Sequence, residues 1–113
     1  MSDSPKADIN AYLISQRDMN DKKVIGDRSF PLAKRITCND GFSLSVQASW
    51  GAYCVPRTNI GPWDQVEVGF PSDKPELIME YAEDPDRPTD TVYGYVPVHL
   101  VERLIELHGG MSS

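Results

Sequence analysis

From Phe42 to Ser49 apolar and polar residues alternate without a break, Phe42, Leu44, Val46 and Ala48 against Ser43, Ser45, Gln47 and Ser49. A period of two puts each set on its own side of an extended chain. The run therefore suits a strand with one buried and one wetted face, and it offers no helical stripe. The preceding Asn39-Asp40-Gly41 tolerates the positive φ of a tight turn, and Arg35-Ile36-Thr37-Cys38 supplies the other arm of a hairpin. Strands buried on one face only are the mark of an antiparallel sheet.

Other segments extend that reading. Gln65-Val66-Glu67-Val68-Gly69-Phe70 repeats the alternation and stops at Pro71, and residues 77–81 read as a further short strand running into the turn-rich residues 82–88. Thr91-Val92-Tyr93-Gly94-Tyr95-Val96 is the last strand, rich in β-formers. Pro97 suits the first turn of a helix whose apolar stripe is Val98, Val101, Leu104 and Ile105, widened by Leu100 and Leu107. Gly109-Gly110 is its stop, with His108 in the last turn. The expected fold is α+β, an antiparallel sheet of four or five strands with a C-terminal helix packed on one face. Residues 31–113 form this compact domain. Residues 1–30 read either as an N-terminal arm or as a short helix in which Ile9, Tyr12, Leu13 and Gln16 share a face behind an Asp8 N-cap.

With 113 residues the chain makes one domain at most, and 40% hydrophobic residues suffice for a modest core without a metal or a disulfide. Cys38 and Cys54 accordingly read as small buried hydrophobes in a reducing compartment. No apolar run approaches the roughly 18–20 residues of a membrane span, and the first residues lack the basic and apolar regions of a signal peptide. The expectation is a soluble, cytoplasmic chain without a membrane partner.

Charge is the strongest pointer to function. Residues 64–90 hold nine carboxylates against only Lys74 and Arg87, whereas residues 1–40 carry seven Lys/Arg against six Asp. The net charge of −6 therefore comes almost wholly from one stretch, which repels nucleic acid and attracts basic protein surfaces. Basic residues are scattered, so direct nucleic-acid binding has little support. Neither GxxxxGK[ST] nor GxGxxG occurs, Glu83-Asp84-Pro85-Asp86 lacks the spacing of a calcium loop, and there is no CxxC. His108 reads as a helix C-terminal cap, and neither it nor His99 stands beside a nucleophile motif. No catalytic residue, metal or cofactor is expected, and the chain reads as a binding protein rather than an enzyme.

The partner-binding candidates are Asp64, Glu67, Glu80, Glu83, Asp84 and Asp86 as electrostatic contacts, with Trp63 and Tyr81 as aromatic anchors. An alternative is an oligomeric protein that sequesters a nucleotide signal, with Trp50, Tyr53 and Tyr93 as aromatic walls and Arg57 as the cation at the mouth. The plainer readings are a solvated acidic loop and aromatic residues that roof the sheet edge.

Residues 36–49, Tyr53-Cys54-Val55-Pro56-Arg57, residues 66–72, Tyr81-Ala82-Glu83-Asp84-Pro85 and residues 91–97 together resemble a family of small, largely uncharacterised proteins of tailed bacteriophages and prophages. The likeness covers about residues 35–110, with the N-terminal third as an addition. It implies a phage accessory protein working in the cytoplasm of a host cell, and it carries no catalytic residues. In that context the acidic surface is expected to occupy the basic, nucleic-acid-binding surface of a host protein, for instance in a CRISPR effector or another defence complex.

Overall fold

The computed structural model describes residues 8–20 and 33–112. Helix α1 (Ile9–Asn20) comes first, followed by strands β1 (Ile36–Thr37), β2 (Ser43–Gln47) and β3 (Gln65–Gly69), a 3-10 segment (Glu76–Tyr81), strand β4 (Val92–Pro97) and helix α2 (Val98–Leu107). The four strands form one antiparallel meander in the order β1-β2-β3-β4. This is the α+β architecture expected from the alternation. Gly41 takes φ 99° in the predicted hairpin turn, where Gly41 N–H donates to the Cys38 carbonyl at 3.0 Å.

The alternation decides which face is buried. Leu44 and Val46 of β2, Val66 and Val68 of β3, and Tyr93 and Val96 of β4 are all inaccessible to solvent. They pack with Val101, Leu104 and Ile105 of α2 in one core cluster. Ser43, Ser45 and Gln47 lie on the opposite, half-exposed face. Both sheet edges are partly covered. Ala82 bridges Tyr93 outside β4, and Ser112 N–H donates to the Thr37 carbonyl at 2.7 Å outside β1. These contacts pair part of each edge and so reduce the unpaired backbone groups that promote edge-to-edge association.

Two expectations are refined. Residues 9–20 of the N-terminal segment are helical, not an extended arm, and Ile9 and Leu13 belong to the same core as the sheet. Asp8 Oδ1 accepts from Ala11 N–H at 2.9 Å as the expected N-cap, and Glu102 of α2 accepts from Ile9 N–H at 3.0 Å. The rest of residues 1–30 lies outside the described residues. Residues 77–81, read as a strand, form instead part of the 3-10 segment Glu76–Tyr81, which is broken at Ile78 (φ −120°). The reason is the burial pattern. Ile78 alone is wholly buried, Leu77 is exposed and Met79 only half-buried, so no alternation is available, and the segment presses one side chain into the core.

Cys38 and Cys54 are buried free thiols, as the composition suggested. Burial, and secondarily the charge of Asp40, push the Cys38 thiol up, away from the reactive thiolate.

Candidate functional site

The acidic stretch is spread over β3, the 3-10 segment and the loop that follows it. Two of its carboxylates are neutralised locally, Glu76 by Lys74 at 3.4 Å and Asp90 by Arg87 at 2.9 Å. Asp64, Glu67, Asp73, Glu80, Glu83, Asp84 and Asp86 have no ion pair among the described residues. Asp64, Glu80, Glu83 and Asp86 are exposed, while Glu67 and Asp84 are half-buried and do structural work. Glu67 Oε1 accepts from Tyr53 N–H at 3.0 Å and so holds the loop after β2. Asp84 Oδ1 accepts from Asp86 N–H at 3.2 Å and shapes its own turn.

Trp63 is not a surface anchor. Its ring is 2% exposed, and its indole N–H donates to the Thr58 carbonyl at 3.1 Å. A Cβ at Gly61 would lie 2.7 Å from Trp63 Cζ3, so the bare glycine is what lets the chain close over the ring. An aromatic ring of that area gains more from the core than it would from a waiting surface. The nucleotide-pocket grouping is likewise not assembled. Tyr93 is wholly buried and its hydroxyl donates to the Pro88 carbonyl at 2.5 Å. Trp50 and Arg57 are exposed and joined by an Arg57 Nε to Trp50 carbonyl hydrogen bond of 3.2 Å. Tyr53 belongs to a different constellation.

That constellation is a groove of about 230 Å³ lined by Tyr53, Tyr81, Ala82, Glu83, Gly94 and Tyr95. A β-bulge builds it. Val66 pairs with Val96 but Val68 pairs with Tyr93, so Glu67 alone faces both Gly94 and Tyr95. Tyr95 takes φ 56°, a left-handed conformation uncommon outside glycine, which turns its ring outward while its N–H donates to the Tyr53 carbonyl at 3.0 Å. The Tyr53 and Tyr95 rings lie 5.9 Å apart, tilted by 38°. Gly94 makes the approach possible, since a Cβ there would stand 3.3 Å from Tyr53 Cβ. The groove thus joins Tyr81 and Glu83 of the partner-binding reading to Tyr53 of the ligand-binding reading. Tyr95 was in neither set, although an isolated glycine inside a strand pattern is a signal for a bulge.

A second depression, of about 270 Å³, is lined by Asp40, Gly41, Phe42, Ser72, Asp73 and His108. His108 Nδ1 lies 2.6 Å from Asp40 Oδ2, and its ring stacks on Phe42 at 4.0 Å. The ionised carboxylate only accepts, so Nδ1 carries the proton. Ser72 Oγ accepts from Ser43 N–H at 2.9 Å, and no hydrogen bond joins Ser72 to His108. The Asp40–His108 pair acts as a clamp between the β1–β2 turn and the end of α2. The Phe42 N–H, and then the His108 side chain, hold the Asp40 carboxyl below the usual carboxylate range. A depressed folded value adds stability that is complete above the unfolded value and is lost as pH falls through the folded one. Asp40→Asn should therefore be less stable than the wild type at pH 6. The gap should close as pH falls below about 4, as read from urea midpoints at each pH. A gap that stays constant to pH 2 would remove the carboxylate from the account.

Among the described residues, no group of three or more His, Cys, Asp or Glu is placed to hold a metal ion, and no helix is long and apolar enough to cross a membrane. No family model, curated protein or solved structure matches the chain.

Proposed function

We propose that this chain is a non-enzymatic binding protein that engages a host protein carrying a basic surface, through an acidic surface to which Asp64, Glu80, Glu83, Asp84 and Asp86 contribute. The observation that carries this reading is the accumulation of exposed carboxylates without ionic partners among the described residues. One exposed charge pair contributes about 0–1 kcal/mol. A field of several same-sign charges steers association and fixes orientation, and its effect falls with ionic strength. The resemblance to phage proteins supplies the context: a basic, nucleic-acid-binding host component, such as a defence complex, whose nucleic-acid surface the acidic face would occupy and inhibit.

Affinity capture of host proteins by tagged chain tests this, at about 50 mM and about 500 mM salt, where screening lengths differ roughly threefold. The best variant reverses Glu80, Glu83 and Asp86 to lysine and leaves Asp84, whose side chain holds the local turn. The expected result is a nucleic-acid-binding protein retained at low salt, released at high salt and lost at least tenfold by the variant, with an unchanged unfolding midpoint. Equal capture by the folded variant would overturn the proposal.

A further inference from the structure

The tyrosine groove at the β4 bulge is too small for a nucleotide and lies below the ~300–1,000 Å³ of small-molecule sites. One long side chain fits it. Its walls are three aromatic rings, of which Tyr53 and Tyr95 are 43% and 42% exposed. Ring faces carry negative quadrupole density and attract cations, arginine most often among side chains. Glu83 lines the same groove without an ion pair among the described residues, and Glu67 bonds to the N–H of Tyr53. No Lys or Arg lines it. Aromatic faces plus the Glu83 carboxylate and no lining cation make a complement for a planar guanidinium, which stacks on rings and bonds carboxylate in one pose.

We infer that this groove is the receptor for a single arginine side chain of the basic partner, stacked against Tyr53 and Tyr95 and charge-paired with Glu83. The inference rests on the binding reading above and adds a fixed point to it. Diffuse attraction brings the partner in, and the groove sets its register.

The probe is N-acetyl-arginine amide, titrated into labelled full-length chain and followed by amide NMR, with N-acetyl-citrulline amide as its neutral isostere. Arginine should bind about tenfold more tightly than citrulline, with shifts centred on Tyr53, Glu83, Gly94 and Tyr95. Tyr95→Asn removes the ring and keeps a residue tolerant of positive φ, and it should weaken arginine binding about three- to fivefold. Glu83→Gln should weaken it by a similar factor and bring arginine toward citrulline. Equal binding of the two probes, or wild-type affinity in Tyr95→Asn, would overturn the inference. So would concentration-dependent shifts at these amides without any probe, which would put a second copy of the chain in the groove. Nona-arginine separates the two readings. If wild type and Tyr95→Asn bind it equally at low salt, the groove fails and the acidic face stands. If wild type does not bind it, both fail.

Discussion

Trp63→Ala is expected to cost about 3–5 kcal/mol of folding stability, the range for truncating a fully packed aromatic side chain. A domain of this size has about twice that in total, so the variant should sit near the edge of unfolding at 37 °C. The ring is 2% exposed and lies against Gly61, and its N–H is used on the Thr58 carbonyl. The mutation would empty that space while leaving the Trp63 backbone held by Asn10, which accepts from Trp63 N–H at 2.7 Å and donates to its carbonyl at 3.0 Å. The loss should therefore report the ring itself. Urea unfolding followed by circular dichroism is the measurement. A loss under about 1 kcal/mol would return Trp63 to the surface role its sequence position suggested.

Leu13→Ala should cost about 2–4 kcal/mol, and Ile14→Ala on the same helix no more than about 0.5 kcal/mol. Leu13 is 2% exposed within the core cluster and Ile14 is 44% exposed. Intrinsic helix propensity favours alanine at both positions, so it cannot produce the difference. The contrast separates an integral helix from a loosely docked arm, in which both substitutions would be nearly silent. The same urea midpoints decide it. Helix α1 bears on function indirectly, because Asn10 fixes the start of the segment leading through Asp64 into β3. Loosening it should disturb the acidic face as well as the core.

Trp63 and Tyr95 show why some side chains escaped a reading of the chain in order. Trp63 stands in a loop rich in glycine and proline, where position says nothing of exposure; Gly61 and the clamp from Asn10, 53 residues away in sequence, put it inside. Tyr95 falls in a run of β-formers, where strict alternation would give it one face of the sheet; a bulge opposite Glu67 turns it out toward Tyr53. His108 could be recognised as a helix end, but its carboxylate partner stands 68 residues away at the hairpin turn.

What the sequence by itself determined was the local, periodic part. Alternation in residues 42–49 and 65–68 requires one buried and one wet face, Asn39-Asp40-Gly41 requires a tight turn, and the stripe of Val98, Val101, Leu104 and Ile105 requires a helix lying on something apolar. The alternation read on to Phe70 fails there, because Phe70 lies past the end of β3 at φ 48° and is exposed while Gly69 is buried. Those are consequences of backbone geometry acting on neighbours. The concentration of charge in residues 64–90 was equally legible, because charge adds up whatever the fold. Tertiary structure alone decided which aromatic rings are core and which are surface, which carboxylates are spent on backbone N–H groups, and that Tyr53, Tyr81, Glu83 and Tyr95 share one groove. These depend on contacts between residues far apart in the chain, and sequence spacing carries no record of such contacts.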